Sequence, residues 1–227
     1  MQGVTLCLTI GRRPELLRQT LDSLFAQDVR FDHIIAVNDF GDVPTSEVFK
    51  ALCPDGELVD LGRQVGHHAA VDAMYRRIQT PYVFHCEDDW LFDGDLMLDN
   101  AASLLTHPQI NSVCLRRLPD FPFYEAEAEK IDVLQYQGVD YCRLDHLHEQ
   151  WHRYTFNPHL AKLDLWQSSG GFSRFKKERH ISRWQGEQNR FVAFMQPGAC
   201  VHIGENLSVS NPKPSWFKQM KQWLRKR

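Results

Sequence analysis

Tyr82-Val83-Phe84-His85-Cys86 runs directly into Glu87-Asp88-Asp89, and a strand-length apolar segment that ends in three adjacent carboxylates leaves a fold few options. Adjacent acids repel one another, so a chain that sets them at the tip of a buried strand needs a cation nearby, and hard oxygen ligands suit Mg²⁺ or Mn²⁺ better than a soft metal. Trp90 and the turn-forming Asp93-Gly94-Asp95 follow. The competing reading is a solvated acidic turn after a core strand.

The segments before the triplet alternate between strand and helix patterns. Val4 to Ile10 reads as a strand, Pro14 to Gln27 as a helix with Leu17, Leu21, Leu24 and Phe25 in one stripe, and His33 to Val37 as a second strand. A short helix from Glu47 to Leu52, a strand from Glu57 to Leu61, a helix from Gly66 to Ile78 and the strand from Tyr82 to Cys86 complete the first ninety residues. Such alternation predicts an α/β fold with a mostly parallel sheet and a ligand crevice at the strands' carboxyl ends. Thr9 to Arg12, Asn38-Asp39 and Glu87-Asp88-Asp89 converge there, which suits a nucleotide. Neither Gly-x-Gly-x-x-Gly after the first strand nor Gly-Lys-Ser/Thr occurs, which argues against a dinucleotide fold and a P-loop.

The second half is less regular. Strands are expected from Ser112 to Leu118, in one or two pieces from Ile131 to Arg143 about Gly138, from Arg153 to Phe156 and from Ala199 to Ile203. Gly170-Gly171-Phe172 reads as a loop, and Gly186 to Phe194 as a short helix. One domain over 1–212 is expected, with a nucleotide-binding half (1–110) and a smaller, partly antiparallel acceptor half (111–212), followed by a tail, 213–227.

The six cysteines are scattered without a Cys-x-x-Cys pair, as buried free thiols would be. Apolar runs stop at strand length and no secretory pattern opens the chain, so a cytoplasmic location is expected. From Lys213 onward there are six basic residues and no acid, which leaves the rest of the chain strongly acidic and argues against nucleic acid as a partner.

The order Thr9-Ile10-Gly11-Arg12 before an amphipathic helix, Val37-Asn38-Asp39, Gly66 opening a helix, and Glu87-Asp88-Asp89 after the fourth strand resembles the family 2 and related glycosyltransferases with the GT-A (Rossmann-like) fold. The resemblance spans nearly the whole chain on short motifs. It implies an enzyme of the hexosyltransferase type that uses Mn²⁺ or Mg²⁺ to move a sugar from a nucleotide-diphosphate sugar to a glycan or lipid-linked acceptor, in bacterial glycan or glycolipid synthesis. It further implies that Thr9, Gly11, Arg12 and Gly66 border the donor, that Asp39 reads the nucleoside, that Glu87 and Asp88 meet the ribose and sugar, and that Asp89 binds the metal. By the same likeness Glu187, in Trp184-Gln185-Gly186-Glu187, is the base for the acceptor hydroxyl, and His202 a second metal ligand. Two departures stand out: Glu87 replaces the usual Asp, and His67-His68 follow Gly66, where they either face the diphosphate or have no role.

His148-Glu149-Gln150-Trp151-His152 matches the His-Glu-x-x-His zinc-peptidase pattern, for which Glu178 is an available third ligand. That is one rival function; an inactive nucleotide-sugar-binding module is another. Otherwise the segment covers the acceptor side, with Trp151 and Trp166 to stack on sugar rings. In the tail, Trp216, Phe217, Met220, Trp223 and Leu224 share one helical face flanked by bases, a pattern for an amphipathic helix either on an anionic, cytoplasmic membrane face or docked on its own domain.

Overall fold

Val4–Ile10 forms strand β1, and only Thr9 of its side chains is not fully buried. A strand buried on both faces needs cover on both, which helices in crossover connections supply. In the computed structural model residues 1–148 and 150–204 are described. After β1 come α1 (Pro14–Phe25), β2 (His33–Asn38), α2 (Val43–Leu52), β3 (Glu57–Asp60), α3 (His67–Tyr75), β4 (Tyr82–Glu87), β5 (Trp90–Phe92) and α4 (Leu98–Leu104). The second half holds β6 (Ile110–Cys114), α5 (Glu125–Ala128), β7 (Val133–Tyr136), β8 (Val139–Cys142), β9 (His159–Lys162), α6 (Asp164–Ser169), α7 (Glu178–Glu187), β10 (Phe191–Met195) and β11 (Cys200–His202).

The large sheet has the order β3-β2-β1-β4-β9-β6-β10-β8-β7, and β11 pairs with β5 in a small second sheet. β1 runs parallel to β2 and β4, and β6 to β10, while β9 lies antiparallel between β4 and β6. The chain winds outward from β1 through β2 to β3 and then returns to place β4 on β1's other side. Strand order therefore reverses between β1 and β4, and a crevice opens at their carboxyl ends.

On one face α1 packs Leu17, Leu21 and Leu24 against Leu6, Leu8 and Phe84. Pro14 stands in its first turn, where a missing N–H costs nothing. On the other face Ala70, Val71 and Met74 of α3 meet Tyr154, Phe156, Phe172 and Ile181.

Three sequence expectations change. Arg153 to Phe156 is not a strand: Tyr154 and Phe156 plug the core between α3 and α7, and the Arg153 N–H donates to Ser182 Oγ at 3.0 Å. Ser112 to Leu118 is strand only as far as Cys114, and Leu118 begins a 3₁₀ turn. Gly186 to Phe194 is not a helix; Gly186 lies near the end of α7, and Phe191 to Met195 form the wholly buried β10. α7 instead takes its register from Ile181, Ser182 and Gln185, a buried stripe at helical spacing. All six cysteines are buried and free. Among the described residues no helix is long and apolar enough to cross a membrane. The expected helix over 214–227 lies outside the described residues.

Candidate active site

The carboxyl ends of β1, β2 and β4 and the start of α3 enclose a cavity of about 270 Å³, lined by Thr9, Gly11, Arg13, Asp39, Gly66, Glu87 and Asp88 among others. Gly11 is required by space, since a Cβ there would sit 2.3 Å from Phe40 Cδ2. Arg12 adopts a left-handed φ of 60°, its N–H donates to Asp42 Oδ1 at 2.7 Å, and its exposed guanidinium stacks 4.4 Å over the Phe40 ring. That turn aims the next residue inward. Arg13 lines the cavity and meets the acids, while Arg12, expected to border the donor, is not among the lining residues.

Arg13 forks the triplet: Nη1 donates to Asp89 Oδ2 at 2.5 Å and Nη2 to Asp88 Oδ1. The Gly11 N–H also donates to Asp88, at 3.0 Å to Oδ2. Burial nonetheless pushes the Asp88 carboxyl up to about 6, against the pull of Arg13. Burial acts on Asp89 too, but His202 and Arg13 outweigh it and hold that carboxyl below its ordinary value. Glu87 is raised well above normal by burial, then by Asp89, Glu178 and Asp88, with Arg13 pulling the other way. The crevice thus collects more carboxylates than one guanidinium neutralises.

β5 leaves the triplet at Trp90 and pairs with β11 so that Trp90 lies opposite His202. The pairing brings His202 Nε2 to 3.1 Å from Asp89 Oδ2, with the two rings of Trp90 and His202 5.0 Å apart. Gly204 closes over the same carboxylate, where a Cβ would lie 2.2 Å from Asp89 Oδ2. Asp89 Oδ1 is buried without a hydrogen-bond partner. An orphaned carboxylate oxygen beside an imidazole fits a hard divalent ion that takes its other ligands from a diphosphate and water. The described residues hold no group of three or more side chains that could ligate a metal.

Asp39 borders the cavity, but its two oxygens accept the Val65 and Gly66 N–H groups at 2.6 and 2.9 Å. It thereby ties β2 to the start of α3. Gly66 has φ 93° with open space around it, so backbone conformation and not crowding requires glycine there. His67 lines the cavity wall, and burial, helped by His68, lowers it to about 4, which keeps it neutral. His68 Nδ1 lies 2.7 Å from the Phe175 carbonyl oxygen, outside the set of cavity-lining groups.

Glu187 does not reach the crevice. It is the exposed last residue of α7, next to the turn that enters β10 at its amino end, the opposite edge of the sheet. The carboxylate that α7 brings to the triplet is Glu178, in its first turn, close enough to Glu87 for the two charges to repel. Burial raises Glu178 to about 7, against hydrogen bonds from the Phe156 backbone and the Thr155 side chain. Its place on the face of Ile181, Ser182 and Gln185 was available in the sequence as a helical stripe.

Among its described residues the zinc-peptidase pattern has no helix to sit on: residues 145–147 and 150–153 are turns and bends, residue 148 has no regular structure, and His152 has φ 68°. Two histidines one helical turn apart are what that chemistry needs, and Glu149 lies outside the described residues. Trp166 Nε1 donates to Asp72 Oδ1 of α3 at 2.7 Å. Trp151 is partly exposed.

A model of a family described as "Glycosyl transferase family 2" matches residues 6–177. A comparison with curated proteins finds no significant match. Among solved structures the chain resembles the mannosyltransferase PcManGT from Pyrobaculum calidifontis in complex with GDP-Man and Mn²⁺, at 18% identity and TM-score 0.68 over 96% of this chain and 59% of that one. It also resembles S. aureus TarS 1-349 in complex with UDP-GlcNAc, at 12% identity and TM-score 0.63 over 99% of this chain and 65% of that one. A third likeness is GalNAc-T7 with UDP, GalNAc and Mn²⁺, at 10% identity and TM-score 0.66 over 98% of this chain and 47% of that one. In each case the chain spans less than two thirds of the other protein, and identities this low speak for the GT-A fold alone. The family match covers most of the chain, and the protein belongs to glycosyl transferase family 2.

Proposed function

We propose that the protein is a metal-dependent glycosyltransferase that moves a hexosyl group from a nucleotide-diphosphate sugar to a hydroxyl of a glycan or lipid-linked acceptor, in bacterial glycan or glycolipid synthesis. The observation that carries the reading is the pair Asp89 with His202, next in the chain to the cavity-lining Asp88, in which one buried Asp89 oxygen has no partner. Asp89 and His202 would hold Mn²⁺ or Mg²⁺, which neutralises charge on the leaving diphosphate. Thr9, Gly11 and Gly66 border the donor, Asp39 fixes the wall against the nucleoside, and Glu87 and Asp88 meet the ribose and sugar hydroxyls. Glu178, in place of Glu187, takes the acceptor proton in an inverting displacement; a carboxyl raised to about 7 is suited to general-base work near neutral pH. PcManGT with GDP-Man and GalNAc-T7 with UDP, both with Mn²⁺, have this fold and suggest the probes. On its sequence pattern, we assign the basic tail 213–227 to an anionic membrane surface on the cytoplasmic side.

The test is calorimetric titration of GDP- and UDP-sugars with and without Mn²⁺, on wild type and Asp89→Asn. Metal-dependent binding that the variant loses, with melting otherwise unchanged, is the expected result. If no nucleoside diphosphate binds in a metal-dependent way, or the variant binds as well as wild type, the assignment is wrong.

A further inference from the structure

Arg13 answers two acids with one side chain, and the oxygen it holds most closely on Asp89 is the one that also faces His202. Its side chain is 15% exposed, those of Asp88 and Asp89 1% and 6%. In so little water a guanidinium and a divalent ion on one carboxylate repel each other with weak screening. The fork is also incomplete, because Arg13 Nε is buried with no partner, as is Asp89 Oδ1 on the other side of the contact. Arg13 and Asp88 line the crevice and the same guanidinium holds Asp89, so a diphosphate there would supply acceptors for the first orphan and an ion a charge for the second.

Resting on the glycosyltransferase reading, we propose that Arg13 is the resident counter-cation of the empty crevice: it holds Asp88 and Asp89 until a divalent ion takes Asp89, and its guanidinium then turns to the donor's diphosphate. Arg13 caps the start of α1 with Pro14 locked behind it, so its backbone stays in place and the side chain makes the exchange. A planar fork satisfied by two carboxylates finds equivalent geometry in two phosphate oxygens. An ion arriving alone has to displace the guanidinium with no new acceptor on offer. With the diphosphate present the displaced fork is satisfied, so ion and donor favour each other's binding.

The test is Arg13→Met, which keeps length and removes charge. Mn²⁺ is titrated without nucleotide by the paramagnetic resonance of the free ion, and UDP and GDP are titrated calorimetrically at saturating Mn²⁺. The expected result is roughly ten-fold tighter Mn²⁺ and roughly ten-fold weaker nucleotide, a coupling of ordinary size. A residue that only braces the acids would give the opposite sign for the ion, because slack ligands bind metal less well. Mn²⁺ affinity that is unchanged or weaker therefore overturns the proposal. Should Arg13→Met fail to fold, Arg13→Gln keeps donors for both acids without charge, and the same tightening is expected and the same absence of it decisive. If wild type binds neither Mn²⁺ nor nucleotide, the transferase reading falls and this proposal with it; if wild type binds both and neither variant tightens the ion, this proposal falls alone.

Discussion

Glu178 and Glu187 sit at opposite ends of α7, and that helix carries one to the acid triplet and the other to solvent at the far edge of the sheet. Glu178→Gln keeps the hydrogen-bonding shape but cannot accept the proton, so kcat should fall by about 10²–10⁴-fold with nucleotide affinity unchanged. Glu187→Gln should leave kcat within error, and equal losses in both variants would refute the assignment. The raised Glu178 carboxyl also fixes a direction with pH. As the base it works ionised, so kcat/KM of the free enzyme should climb with pH about a midpoint near 7. Stability of the metal-free protein runs the other way. The unfolded chain loses this proton near 4.5 and the folded one near 7, so folding stability falls as pH rises through that window, and melting temperatures between those pH values measure it. Gly204 makes a separate prediction. Its missing Cβ leaves room for Asp89, and Gly204→Ala should lower Mn²⁺ affinity roughly ten-fold by displacing that ligand. Unchanged Mn²⁺ affinity in the variant would show that the carboxylate tolerates the move.

Between elements, Asp72 gathers donors from distant segments as Arg13 gathers two acids. From α3 it accepts Trp166 Nε1 and the Phe172 N–H at 2.7 Å each, and the Ser173 N–H at 2.9 Å. Burial alone would raise its carboxyl, but those donors hold it below its ordinary value. The loop so anchored includes Gly171, whose φ of 95° and close approach to Asp72 exclude a side chain, and it leads directly to Glu178. Asp72→Asn removes charge and at least one acceptor from buried donors, at a cost of roughly 2–3 kcal/mol. Denaturant melts should show that loss, and kcat should fall further than Mn²⁺ affinity because the base moves and Asp89 does not. Equal effects on both would mean that the loop and the metal pair are one unit. The loop's glycines were legible as a loop, whereas Asp72's role was not, because its partners lie about a hundred residues away.

For the whole molecule, charge divides between an acidic body and a basic end with six bases and no acid from Lys213 onward. If 214–227 binds anionic membranes, each base contributes roughly 1 kcal/mol at low salt and the aromatic face a part that salt does not screen. Truncation before Pro214 should abolish pelleting with anionic liposomes and leave nucleotide binding intact. A truncated protein that aggregates would assign the tail to the domain's own core. The sequence by itself determined the parallel half: β1, β2 and β4 are continuous apolar runs whose polar tips name the crevice, and local periodicity suffices for that. It also determined the acid triplet, where three like charges on a strand end allow few uses. Only tertiary structure decided which groups meet those acids. Arg13 rather than Arg12 turns inward because Asp42 and Phe40 hold the backbone and side chain of Arg12, and His202 reaches Asp89 because β11 pairs with β5. Contacts between residues so far apart in the chain leave no local signal. They exist because burial in one crevice makes each charge depend on neighbours that only the fold supplies.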